Sequence, residues 1–135
     1  MDERTLIISC VEYYSYLKNM PAHLVFKSFE RTAMVSMLVD TLKQFPDMDL
    51  PFFLGMIDGL TALLGDAKED DYNHHDERTV LGLEVVSMLK KAHKMSDVEA
   101  CTMYYHSKTS ELVSEERTEY YKKPAQEIFD LIEAE

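Results

Sequence analysis

The sequence predicts an all-α fold, a helical bundle of about eight helices arranged as two related four-helix units within one compact domain spanning residues 1–135. Three observations lead there. Apolar residues recur at spacings of three and four along most of the chain, and no run of four or more alternates strictly between apolar and polar with β-branched enrichment. With apolar residues at 46% and only four Gly and four Pro, the composition is that of an ordered helical chain, not a disordered one. Finally, Asp2-Glu3-Arg4-Thr5 opens an apolar stripe closed by Met20, and Asp76-Glu77-Arg78-Thr79 opens a second closed by Met95. The repeat defines a first unit over 2–65 and a second over 76–135, joined by residues 66–75.

In the first unit, Leu6, Ile7, Cys10, Val11, Tyr14 and Leu17 form one face of a helix over about 3–18. Asn19 suits its C-terminal cap, and Pro21 suits the first turn of the next helix, about 21–31, which buries Leu24, Val25 and Phe29. Thr32 is positioned to cap a third helix with Met34, Met37, Leu38, Thr41, Leu42 and Phe45 inward, ended by Pro46. Asp49 caps a fourth, with Phe53, Ile57, Leu60 and Leu64 on one face and Gly65 as its C-terminal cap.

Residues 66–75 lack apolar periodicity and hold four acids, as an exposed connector would. A fifth helix over about 76–93 presents Leu81, Val85, Met88, Leu89 and Ala92. Ser96-Asp97-Val98-Glu99 has the spacing of a capping box and starts a sixth helix, continuing to about His106. A short helical turn holds Leu112 and Val113, Ser114-Glu115-Glu116-Arg117 resembles another capped start, and Pro124 opens a last helix burying Ile128, Phe129 and Ile132.

The charge narrows the function. The net charge is −11, with 8 acidic and 5 basic residues over 1–65 against 17 and 9 over 66–135. Nucleic-acid binding draws on Lys and Arg placed against phosphates, so no nucleic-acid partner is expected, and an anionic membrane surface is disfavoured for the same reason. A basic protein partner fits better. Acids at the start of the chain are unlike a secretory signal, and the longest apolar stretch, Leu50 to Ile57, is too short and interrupted to span a bilayer. These features predict a cytoplasmic protein without a membrane partner. Cys10 and Cys101 lie in apolar stripes at non-equivalent repeat positions, which favours two reduced, buried thiols over a disulfide or redox pair.

No cofactor, metal or catalytic constellation is predicted. His74 and His75 with Asp70, Asp71, Asp76 and Glu77 supply donors, but adjacent histidines do not converge as helical i, i+4 pairs do. No Glu precedes a His by three residues, as a di-iron bundle needs. The serines lack a Gly-x-Ser-x-Gly elbow, and the four glycines lack phosphate-binding spacing. Gly55 and Gly59 form Gly-x-x-x-Gly, which predicts a close helix crossing in the first unit.

Three tyrosine pairs remain: Tyr13-Tyr14, Tyr104-Tyr105 and Tyr120-Tyr121. Neighbours on a helix diverge by roughly 100°, so one of each pair is expected at the margin. Tyr13, Tyr104 and Tyr120, with the acids Glu115 and Glu116, make the candidate interaction surface. Core-edge packing accounts for the same tyrosines, and the nine methionines fit either an irregular core or an adaptable groove.

The run Met95 to Ala100, followed by Tyr104-Tyr105-His106-Ser107-Lys108-Thr109-Ser110-Glu111-Leu112-Val113-Ser114-Glu115-Glu116-Arg117-Thr118, resembles a small bacterial family known as domain of unknown function 3791. The likeness covers about residues 80–133, and residues 5–60 more loosely through Cys10-Val11-Glu12-Tyr13-Tyr14 and the Phe26 to Phe29 segment. It implies a small helical protein and supplies no catalytic residue. Similar proteins are encoded beside ADP-ribosyltransferase-like toxins, which implies an accessory or antitoxin-like role. The sequence therefore favours a non-enzymatic interaction module. A small-ligand or metal-dependent enzyme with a pocket between the halves, and a self-associating structural protein, are the alternatives.

Overall fold

The structure, a computed structural model, describes residues 1–61 and 74–135, with side chains described to Ile57 and again from His74. Among these residues the chain is all-helical, with eight α-helices, two single-turn 3-10 segments and no strand. Helix α1 (Glu3–Lys18) starts where the Asp2 carboxylate accepts the Thr5 amide at 2.8 Å. It ends at Asn19, whose φ of 50° reverses the chain, and the Met20 amide donates to the Ser15 carbonyl at 3.1 Å. Helix α5 (His75–His93) ends the same way: Lys94 takes φ 51° and the Met95 amide donates to Lys90 at 3.2 Å. The closing methionine of each repeat thus completes the same C-terminal cap.

The repeat's opening tetrapeptides part company. Asp2 caps α1, whereas Asp76 lies inside α5, whose cap position is His74. Their arginines diverge accordingly. Arg4 sits at the edge, 3.0 Å from Asp97, while Arg78 is 1% exposed.

Helices α2 (Ala22–Arg31) and α3 (Met34–Gln44) meet at a tight corner that corrects the expected Thr32 cap. The Thr32 hydroxyl donates backward to the Ser28 carbonyl at 2.9 Å, and Ala33, at φ 58°, occupies the cap position of α3. Val35 and Val39 join Met34, Leu38 and Leu42 in the core, while Phe45 is exposed. Asp49 starts α4 (Leu50–Thr61) by accepting the Phe52 amide at 3.3 Å. Leu60, Leu64 and Gly65 lie outside the described side chains, as does most of the expected connector, which stops short of His75 because that residue is already helical.

Helix α6 (Asp97–His106) carries the full capping box: Ser96 accepts the Glu99 amide at 3.1 Å and Glu99 accepts the Ser96 amide at 3.3 Å. Helix α7 (Lys108–Ser114), the 3-10 segments Glu116–Thr118 and Tyr120–Lys122, and α8 (Ala125–Glu133) complete the chain. The start expected at Ser114 is a 3-10 turn without a side-chain cap, because the Ser114 hydroxyl donates back to the Glu111 carbonyl at 2.7 Å. Ala92 and Leu24, both expected inward, face solvent.

Helix α1 is the hub. Seven consecutive residues, Leu6 through Glu12, are buried, which a helix achieves only when neighbours cover it on several sides. It packs on α5 as extensively as α5 packs on α6, and also touches α2, α3, α4 and α6. Of the expected Gly55–Gly59 crossing, an added methyl at Gly55 would meet nothing within 4 Å, and Gly59 lies outside the described side chains. A Cβ on Gly82 would stand 3.3 Å from the Ile8 Cγ2 and 3.7 Å from the Tyr104 ring, so α1, α5 and α6 approach through this glycine.

Candidate functional site

The core that α1, α5 and α6 share contains a chain of polar groups. Glu12 on α1 is buried, and the Tyr105 hydroxyl on α6 donates to its carboxylate at 3.0 Å. Burial pushes the Glu12 carboxyl up to about 7, opposed by that hydrogen bond and by the nearby Arg78 charge. Burial also raises the ionisation of Tyr104 and Tyr105 well above the ordinary phenol range, with the Glu12 charge adding to it. Both phenols stay protonated at any physiological pH.

Arg78 carries the chain outward. Its Nε donates to the Val113 carbonyl at 2.9 Å and its Nη2 to Glu116 at 2.7 Å. The second Glu116 oxygen lies 2.8 Å from His74 Nδ1, and His74 Nε2 lies 3.2 Å from the Tyr121 hydroxyl. The His74 and Tyr121 rings stack at 4.1 Å, with the Arg78 guanidinium 5.0 Å from the Tyr121 centroid. Burial acts against ionisation of Glu116, but the hydrogen bonds from Arg78 and His74 outweigh it and hold its carboxyl below the usual range. The arrangement fastens the 116–122 segment to the bundle, with a proton-binding carboxylate sealed at its inner end.

Of the five residues expected to form a surface, Glu115, Glu116 and Tyr120 share one segment, while Tyr13 lies on α1 and Tyr104 on α6. Tyr104 is the clear correction: it is 1% exposed and packs over Gly82. The expectation assumed that α6 is covered on one face, whereas α1, α2, α5 and α7 surround it, so adjacent tyrosines both point into protein. Tyr13 is half-buried with its ring 6.1 Å from that of His75. Tyr120 is half-buried with the Lys123 ammonium 4.9 Å from its ring centroid. Glu115 pairs with Arg117 at 3.1 Å, and Glu116 belongs to the Arg78 clamp.

Sequence reasoning missed Glu12, His74, Arg78, Tyr105 and Tyr121 as one system. One signal was present: Arg78 stands three, four and seven residues before Leu81, Gly82 and Val85, on the buried stripe of α5. A charge in register with a core face needs an internal partner. The partners come from three other elements, which no local spacing reveals.

Among the described residues no group of three or more His, Cys, Asp and Glu is placed to hold a metal; Asp70 and Asp71 lie outside them. Cys10 and Cys101 are buried, free thiols, and burial raises Cys10 to about 12. No described helix is long and apolar enough to cross a membrane. Compared with models of protein families, with curated proteins and with solved structures, the chain matches none.

Proposed function

We propose that this chain is a non-enzymatic protein-interaction module, accessory or antitoxin-like, that meets a basic protein partner. The observation that carries this reading is an exposed aromatic corner between α3 and α4. Phe45, Met48 and Phe52 are 47%, 41% and 37% exposed, and the Phe45 and Phe52 rings lie 6.0 Å apart. Phe52 also touches buried Phe53 edge-on at 5.2 Å, so the corner is anchored to the core. Because each is already more than half covered, burying the rest of such a side chain is favourable by about 1 kcal/mol, and aromatics recur as anchors in interfaces. Exposed Asp47 and Asp49 flank them, which with the net charge of −11 suits a basic partner.

The accessory role is what the resemblance of residues 80–133 to that bacterial family of helical proteins implies, and the cytoplasmic setting is inferred from the two buried, free thiols. Self-association uses the same corner, and the concentration dependence of mass separates the two readings. The test is capture from the native lysate with wild-type chain and with a Phe45→Ser/Phe52→Ser variant, together with light scattering at several concentrations. A stoichiometric partner held by wild type and lost from the variant is expected, with unchanged thermal unfolding. Equal retention by the variant, or a wild type recovered without a partner, overturns the proposal.

A further inference from the structure

A second surface defines a partner class by its own geometry. Helix α5 buries Leu81, Val85 and Leu89, yet on its outer side Val80 is 55% exposed, more than any other large apolar residue among the described side chains. Val80 lies in a groove of about 400 Å³ between α5 and the Tyr121–Ala125 segment. A neighbouring groove of about 530 Å³, floored by Leu83 and Met88, lies between α5 and the start of α1. The two share Glu84 and Ala125 as walls, so they form one trough along α5 from Asp76 to Met88. At 1.5 Å per residue that trough is roughly 18 Å long, the length of an ordinary three-turn helix.

The rim sets the charge of the occupant. Asp2, Asp76, Glu77 and Glu84 line the trough, against the cations Arg4 and Lys123. Both cations are engaged, Arg4 with Asp97 and Asp2 and Lys123 with Glu127. The carboxylates of Glu77 and Glu84 have no ion pair among the described residues. A second copy of this chain, itself at −11, would be repelled, and so would any polyanion.

We propose that this trough docks a basic amphipathic helix of a partner protein, with apolar side chains at i, i+3, i+4 and i+7 over Val80, Leu83 and Met88 and Lys or Arg against Glu77 and Glu84. This names the partner class for the interaction module above and rests on that reading, but it uses a surface separate from the Phe45–Phe52 corner. The probe is a blocked Leu/Lys peptide of roughly 18 residues with that apolar spacing, and the control is a scrambled peptide of the same composition. Both are titrated into the labelled full chain at moderate salt, following anisotropy and amide chemical shifts.

The patterned peptide is expected to bind at least about tenfold more tightly than the scrambled one, with shifts concentrated at residues 76–88 and 121–125. Val80→Asp removes the apolar seat while adding attraction for a cation, and is expected to weaken binding about tenfold. Phe45→Ser/Phe52→Ser is expected to bind the peptide as wild type does. Equal binding of the two peptides, shifts centred elsewhere, or unchanged binding by V80D overturns the proposal. So do the same shifts appearing when the chain alone is concentrated, which would assign the trough to a second copy. Since corner variants and lysate capture are read separately, the trough can fail while the interaction reading stands.

Discussion

Glu12 illustrates how one residue can cost stability and still define a structure. A glutamate in the unfolded chain ionises near 4.3, whereas burial lifts the folded Glu12 to about 7. Between those values the folded chain keeps a proton that the unfolded chain releases, so stability falls as pH rises through the window. Below it the titration of Glu12 costs nothing, and above it the full cost of about 4 kcal/mol applies. Glu12→Gln keeps an acceptor for the Tyr105 hydroxyl and removes the titration. Urea unfolding is therefore expected to show the two proteins nearly equal at about pH 4.5 and the variant more stable by about 2–3 kcal/mol at about pH 8. Groups common to both cancel in the difference. Parallel stability curves would show that Glu12 ionises inside the core without penalty, with Arg78 compensating it fully.

The helix ends separate what is written locally from what is imposed by packing. Ser96 and Glu99 cap α6 through groups three residues apart, so the boundary is legible in four letters. The stop at Asn19 is legible too, because Asn tolerates the left-handed turn, whereas Lys94 makes the same turn at the end of α5 without a residue type that announces it. Thr32 was misleading for the opposite reason: its hydroxyl has two uses, capping forward or bonding backward, and at φ −96° and ψ 7° Thr32 still closes α2, which leaves it the second. Tyr104 was misread because stripe logic assumes one covered face per helix. Of the polar site, the register of Arg78 with the α5 core stripe was the single local trace. At element scale the consequence is measurable. Ala33 holds φ 58°, a conformation in which its Cβ is strained and glycine is not. Ala33→Gly is expected to raise stability by about 0.5–1 kcal/mol, whereas Ser96→Ala is expected to lower it by about 1 kcal/mol. Denaturation midpoints at constant slope check both, and a destabilised A33G would mean that its methyl is packed rather than strained.

Over the whole molecule, the described residues on either side of the expected unit boundary do not each own a core. The hub helix α1 belongs to the first unit, but its buried face meets α5 and α6 of the second through Ile8, Gly82 and Tyr104, and its one buried carboxylate is bonded by Tyr105. Cutting between the units would strip α5 and α6 from the Ile8 and Glu12 face of α1 on one side and orphan the tyrosine hydroxyl and Gly82 surface on the other. A helical chain of about 65 residues has little apolar burial to spare, so neither piece is expected to offset that loss. Fragments 1–65 and 74–135 are therefore predicted to lack cooperative unfolding when separate and to regain helical circular dichroism when mixed. The intact chain is predicted to melt in one transition, with backbone ellipticity and tyrosine fluorescence coinciding. Helix α4 joins the rest mainly through α1, so its amides should exchange soonest among the longer helices without breaking that coincidence. A fragment 74–135 that melts cooperatively by itself would place the core within the second unit and make α1 a late addition. Recovery only on mixing would instead show that the two segments are stable only by sharing α1.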